Sequence, residues 1–201
     1  RLRDLIGEDA RGVLVMTCHA LAWRLVGVSF ANKSDSTQSD VFRQVLLDAI
    51  ALLKGDGLPP DEADEQRDRL LAGFRRILVD EYQDIGQEQY ELISALAGRN
   101  RKDDEGKNTL FAVGDDDQNI YAFDGASVRY IRQFEADYAA QRHALIENYR
   151  STRYIVECAN RIIGPARDRM KVDLAIRVDH ARRDAPAGGP MECLDTLARG
   201  R

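Results

Sequence analysis

Ile77-Leu78-Val79-Asp80-Glu81 is an apolar run of strand character that stops abruptly at two carboxylates. Further along, Thr109-Leu110-Phe111-Ala112-Val113 repeats the pattern and runs into Gly114-Asp115-Asp116-Asp117-Gln118. The carboxyl ends of strands in a parallel sheet share one edge, where ligands bind. An Asp at such an end can hold Mg²⁺, directly or through water, and a following Glu can orient or deprotonate an attacking water. Taken alone, the first motif reads equally well as a strand entering an acidic turn. Three successive carboxylates at a second strand end shift the balance, because they repel one another unless solvent, cations or arginines compensate.

Outward from these ends, the pattern predicts strands over 13–16, 76–79, 109–113 and 143–146. Apolar residues at helical spacing predict helices over 41–53, 87–97 and 154–163. Strands alternating with helices imply parallel pairing and an α/β sheet. Two stretches interrupt that order. Residues 31–73 carry a polar loop, an amphipathic helix, the break Gly55-Asp56-Gly57-Leu58-Pro59-Pro60 and a charged helix, and residues 98–108 form a hydrophilic loop. From Gly164 the chain becomes basic and loop-rich, with a last strand-like piece over 191–194.

With 201 residues, 44% hydrophobic and 31% charged, the chain has material for one globular domain or one domain and the start of another. No apolar run reaches the ~18 residues of a membrane span. The net charge of −5 argues against a nucleic-acid binder that relies on bulk positive charge. It hides an asymmetry: the first 149 residues hold 18 basic and 27 acidic side chains, the remainder 11 and 7. Cys18, Cys158 and Cys193 are odd in number and lack a Cys-x-x-Cys pair, which speaks against a disulfide framework or structural zinc and fits a reducing cytoplasm. Cys18 and His19, read as neighbours in an extended segment, point to opposite faces and do not make a nucleophile pair. Arg1 opens the chain without a methionine or a signal-peptide pattern, so a segment of a longer protein is expected.

Three blocks then stand in order: Val79-Asp80-Glu81-Tyr82-Gln83-Asp84, Val113-Gly114-Asp115-Asp116-Asp117-Gln118-Asn119-Ile120-Tyr121-Ala122-Phe123-Asp124-Gly125-Ala126, and Asn148-Tyr149-Arg150-Ser151-Thr152. They resemble three consecutive motifs of the UvrD/Rep-like superfamily 1 DNA helicases, and Thr17-Cys18-His19-Ala20-Leu21 resembles the Thr-x-His motif upstream of them. The resemblance implies an α/β fold with a RecA-like P-loop NTPase parallel sheet flanked by helices. Residues 1–30 and 74–147 would form part of a first motor domain, 31–73 a small helical insert, and 148–201 the start of a second RecA-like domain. In the intact protein, ATP would bind between the two domains.

The same resemblance implies roles that suit the chemistry of each residue. Asp80 would hold the Mg²⁺ of MgATP, and Glu81 would activate the hydrolytic water. Gln118, which can both donate and accept, would contact the γ-phosphate. Arg150 would stabilise the transferring phosphoryl group with its fixed fork of donors, and Tyr149 would stack on the adenine. Apart from the resemblance, the same strand-to-helix turn reads as a helix cap with Ser151 or Thr152 at the N-cap, which is compatible with those roles. Tyr121 and Phe123, two apart and on one face if extended, would stack on bases of single-stranded DNA, while Thr17 and His19 would touch its phosphates. The expected partners are single-stranded DNA and duplex junctions, with no membrane and a cytoplasmic location.

Two features depart from the family pattern. No Gly-x-x-x-x-Gly-Lys-[Ser/Thr] loop occurs, since Gly106-Lys107 is followed by Asn108 and preceded by Arg101 at the first-glycine position. That loop is expected upstream of Arg1, and the last two family motifs beyond Arg201. Asp124 stands where many relatives carry a basic residue, and a pairing with Arg129 is expected. The alternative to a helicase is a non-catalytic DNA-binding or interaction module derived from a helicase domain.

Overall fold

The computed structural model describes residues 7, 11–27, 38–101, 106–120 and 125–179. Two compact units divide at Ile131/Arg132, earlier in the chain than the change of composition near residue 148.

In the first unit, helix α1 (Cys18–Val26) starts at Thr17, whose Oγ1 accepts from the Ala20 N–H at 3.2 Å. It stops at Gly27, whose φ of 70° and N–H bond to the Trp23 carbonyl make a left-handed cap. Cys18 and His19 are therefore the first residues of a helix, which corrects the extended reading of that pair. Residues 13–17 carry no regular structure, so the strand expected over 13–16 is absent. A strand exists only where a neighbour supplies the ladder, and an apolar run cannot supply its own.

Helix α2 (Gln38–Lys54) buries Val45, Leu46, Ala49, Ile50 and Leu53, the spacing of a single helical stripe. A glycine-bounded turn leads to α3 (Pro60–Leu70), which opens with Pro60, Asp61 and Glu62, residues that suit a helix N-terminus. Strand β1 (Arg76–Val79) and strand β2 (Thr109–Ala112) pair in parallel, with Ile77 beside Leu110 and Leu78 beside Phe111. Helix α4 (Gln87–Ala97) connects them and buries Leu92, Ile93, Leu96 and Ala97. Ala22, the α2 stripe, Leu71, Leu92 and Leu96 form one apolar core, against which Phe74 and Ile77 pack. The helices of 38–70 thus share a core with α1 and α4. The other face of the β pair carries Leu78 and Phe111, 73% and 58% exposed, so runs that read as buried are covered on one side only among the described residues.

A buried arginine ties this core together. Arg67, 5% exposed, donates from Nε to the Ala95 carbonyl (3.3 Å), from NH2 to Leu96 (2.9 Å) and from NH1 to Gly106 (2.8 Å). The last carbonyls of a helix have no partner within it, and here a side chain from α3 supplies them. Asn108 adds a bond from its amide to the Leu96 carbonyl.

Helix α5 (Arg129–Tyr138) runs across the division of the units. In the second unit, β3 (Glu147–Asn148) pairs in parallel with β4 (Arg177–Val178), and α6 (Arg153–Ile163) lies between them in sequence. The strand expected over 143–146 is irregular; pairing begins with the Ile146 carbonyl accepting from Arg177 N–H at 2.8 Å. The position of β4 decides this. Asn160 on α6 fixes it, donating to the Ile176 carbonyl at 2.6 Å and accepting from the Ile176 N–H at 3.2 Å. The strand-like piece over 191–194 lies outside the described residues.

Candidate functional site at the strand ends

Parallel pairing with Val79 beside Ala112 brings the ends of β1 and β2 next to each other. The link continues past the strands, since Val113 N–H donates to the Val79 carbonyl and Tyr82 N–H to the Val113 carbonyl, each at 2.9 Å. Asp80 and Glu81 are exposed at this edge. Asp80 Oδ1 accepts from the Glu81 N–H at 3.0 Å, and Glu81 holds φ 53° and ψ 45°, the left-handed region. That conformation costs a non-glycine residue on the order of 1–3 kcal/mol and persists only where surroundings enforce it.

The Glu81 carbonyl accepts from the Asp84 N–H at 2.9 Å, and Gln83 holds the Glu81 side chain. Gln83 is 1% exposed, next to the fully buried Tyr82. Its Nε2 donates to Glu81 Oε2 (2.9 Å) and Asp84 Oδ2 (3.3 Å), and its Oε1 accepts from the Asp115 N–H (2.9 Å). Its backbone carbonyl accepts from Asn119 Nδ2 at 2.6 Å. Gly114 makes room for this amide: a Cβ there would sit 2.6 Å from Gln83 Oε1 and 2.7 Å from Ile131 Cδ1.

Beyond Gly114 the acidic run folds into a short 3-10 turn (Asp116–Gln118). Asp115 caps it, Oδ1 accepting from the Asp117 N–H at 3.1 Å, while Oδ2 accepts from Gln118 Nε2 at 2.8 Å. One ligand oxygen from each of Asp115, Asp116 and Asp117 lies within 4.8 Å of the others. The structure thus brings Asp80, Glu81 and Gln118 to one edge, joined through Gln83 and Asp115. Burial, and next the charge of Glu81, push the Asp84 carboxyl above its ordinary range, and the Gln83 bond opposes them.

The remaining expected residues lie elsewhere. Thr17 caps α1, and His19 stacks at a tilt on Phe42 with ring centroids 5.2 Å apart. Burial holds the imidazole below its ordinary pKa and the Cys18 thiol above its own, so the first favours the neutral ring and the second disfavours a thiolate. Tyr121, Phe123 and Asp124 lie outside the described residues. Arg129, the expected partner of Asp124, donates to Tyr130 Oη at 2.8 Å and packs over its ring.

In the second unit, Asn148 Oδ1 accepts from the Arg150 N–H (3.0 Å) and the Ser151 N–H (2.6 Å). The expected capping by Ser151 or Thr152 is corrected accordingly: Thr152 occupies the cap position of α6 without a side-chain bond, and Asn148 organises the turn. Arg150 is exposed, and the Tyr149 ring is 65% exposed with its hydroxyl donating to Glu147 Oε2 at 3.2 Å. The nearby Glu147 and Asp179 carboxylates raise the Tyr149 phenol.

Sequence reading missed Gln83, Gly114 and Arg67. Gln83 stands among carboxylates in a segment without periodicity, and only the meeting of two distant strand ends buries it. The Gly114 position before the acidic run is the one signal that a close backbone approach occurs there.

Residues 28–139 match the family model of the UvrD/REP helicase N-terminal domain. That span contains Asp80, Glu81, Gln83 and Gln118, and excludes Thr17, His19, Tyr149 and Arg150. Among curated proteins, "ATP-dependent DNA helicase UvrD1" of Mycobacterium tuberculosis is 50% identical over 91 residues, 45% of this chain and 12% of that protein. "DNA helicase II" of Haemophilus influenzae is 41% identical over 101 residues, 50% of this chain and 13% of that protein. "ATP-dependent DNA helicase PcrA" of Staphylococcus epidermidis is 42% identical over 91 residues, 45% of this chain and 12% of that protein. The chain therefore spans about one eighth of the length of these relatives. With a family model matching more than half of its residues, the chain belongs to the UvrD/REP helicase N-terminal domain family.

Proposed function

We propose that this chain forms part of the motor of an ATP-dependent helicase that moves on single-stranded DNA and opens duplex junctions, in DNA repair or recombination. The observation that carries the reading is the joined edge of β1 and β2, where exposed Asp80 and Glu81 stand with Gln118 and the carboxylate of Glu81 is held by Gln83. The parallel β1–β2 pair with its connecting helix supports a RecA-like sheet, and the names of the relatives support use of ATP and DNA.

The donor chemistry at this edge suits a magnesium–triphosphate, because Asp80 and the Asp115–Asp117 run offer hard carboxylate oxygens, and no soft ligand is present among them. Asp80 would hold the ion, which when bound would neutralise charge on the phosphates. Glu81 Oε1 or Oε2 would take the proton of the attacking water. Gln118 would turn its amide from Asp115 to a γ-phosphate oxygen, an exchange of one acceptor for another that costs little. Arg150 would donate to the phosphoryl oxygens, and the exposed Tyr149 ring would stack on adenine. Thr17, His19, Tyr121 and Phe123 would contact the DNA strand, the half-buried His19, its pKa lowered, as a hydrogen-bonding group rather than a cation.

Glu81→Gln in a full-length helicase carrying this segment tests the assignment. DNA-stimulated ATP hydrolysis should vanish while nucleotide binding persists, because the isosteric amide keeps the shape and cannot accept the water's proton. Unchanged hydrolysis, or loss of binding, would contradict the role given to Glu81. A full-length protein that binds DNA without any ATP hydrolysis would favour the non-catalytic module.

A further inference from the structure

We propose that Gln83 is a positioning residue that couples the Glu81 carboxylate to the Asp115–Gln118 turn, so that the proton acceptor and the γ-phosphate contact are set by one buried amide. The inference rests on the roles proposed for Glu81 and Gln118. Three hydrogen bonds form an unbroken line from one to the other: Gln83 Nε2 to Glu81 Oε2, Asp115 N–H to Gln83 Oε1, and Gln118 Nε2 to Asp115 Oδ2.

The chemistry of the amide makes the line directional. A carboxamide has a donor end and an acceptor end. Here the donor end faces two carboxylates, Glu81 and Asp84, and the acceptor end faces a backbone N–H. Turning the amide over would set its oxygen against the carboxylates and its NH₂ against the N–H, so the surroundings permit one orientation. Burial strengthens this selection, since a polar group removed from water must keep its partners. Gly114 leaves the space that the acceptor end occupies, because a Cβ at that position would collide with Gln83 Oε1. When Gln118 leaves Asp115 for another acceptor, the Asp115 turn loses one of its ties, and Gln83 carries that change to the carboxylate of Glu81.

The coupling separates from simple packing by hydrogen bonding. Gln83→Glu keeps size and the acceptor for the Asp115 N–H but removes the donor that meets Glu81 Oε2, so one tie is lost and the other kept. In a full-length helicase carrying this segment, assayed with oligo(dT), it should lower kcat for ATP hydrolysis about tenfold with little change in KM. Gly114→Ala, which displaces the amide without adding charge, should lower kcat likewise. A folded Gln83→Glu protein with wild-type kcat overturns the proposal.

The 201-residue chain provides a readout independent of activity. By NMR, Gln83→Met should speed exchange of the Asp115 amide about tenfold or more. If it does not, the coupling is absent even if hydrolysis is observed. If it does while the full-length protein hydrolyses no ATP, the coupling stands and the functional reading of Glu81 and Gln118 falls.

Discussion

The β1–β2 pair runs for four residues and is fastened beyond its ends by a buried amide that reaches across 32 positions of sequence, whereas β3–β4 runs for two residues and is held from the side. In the second pair Asn160 on α6 bonds both polar groups of Ile176, and Arg177 reaches Glu147 Oε1 at 3.0 Å. The two sheets thus commit their polar side chains differently. At the first, Gln83, Asp115 and Gln118 are engaged with one another, and Glu81 is held in a strained backbone conformation. At the second, Asn148 serves the backbone of the turn, and Tyr149 and Arg150 face solvent. Under the proposed roles this division is what the chemistry asks for: a proton acceptor has to be preorganised by fixed bonds, and a ring or guanidinium that receives a ligand has to be reachable.

Removing a tie from each unit tests this contrast. Arg67→Ala in the first unit should cost the most, about 2–4 kcal/mol in urea unfolding, because three carbonyls lose a charged donor at once. Slow-exchanging amides of α4 should lose protection with it. A loss under about 0.5 kcal/mol would mean that water replaces the guanidinium without penalty. Asn160→Leu in the second unit should cost about 1–2 kcal/mol and speed exchange of the Arg177 and Asp179 amides, leaving those of β1 and β2 unchanged. Equal loosening of both strand pairs would break the comparison.

The smallest effect belongs to Asp84. Its carboxyl titrates above the ordinary Asp range, so the native state keeps a proton that the unfolded chain has already released. Stability then falls as pH rises from the unfolded to the native pKa, and the penalty is complete above the latter. Asp84→Asn should raise the thermal midpoint slightly at about pH 7 and leave it unchanged at about pH 3. The same increment at both pH values would show that packing rather than ionisation sets the effect.

How much of this was legible depended on the range of the forces involved. The helices at 41–53, 87–97 and 154–163 appear within a few residues of their expected limits, since a 3.6-residue apolar stripe is written locally. The strands at 76–79 and 109–112 were equally clear, being dense apolar runs ended by acidic turns. The strands expected over 13–16 and 143–146 were not realised there, because strand structure requires a partner that no local pattern specifies. Helix α1 escaped notice although Thr17 and Gly27 are good caps, and α5 likewise, its polar face dominating the composition.

Residue order by itself determined the family, through the spacing of acidic, amide and aromatic residues in three blocks, and it singled out the residues to which the proposed chemistry is assigned. Only the tertiary structure decided how those residues are held. The parallel register of β1 and β2 brings positions 83 and 115 within 2.9 Å. That contact buries one amide and makes a glycine necessary at 114. Such couplings depend on long-range closure of the chain, which is an outcome of folding and not a property of any window of sequence.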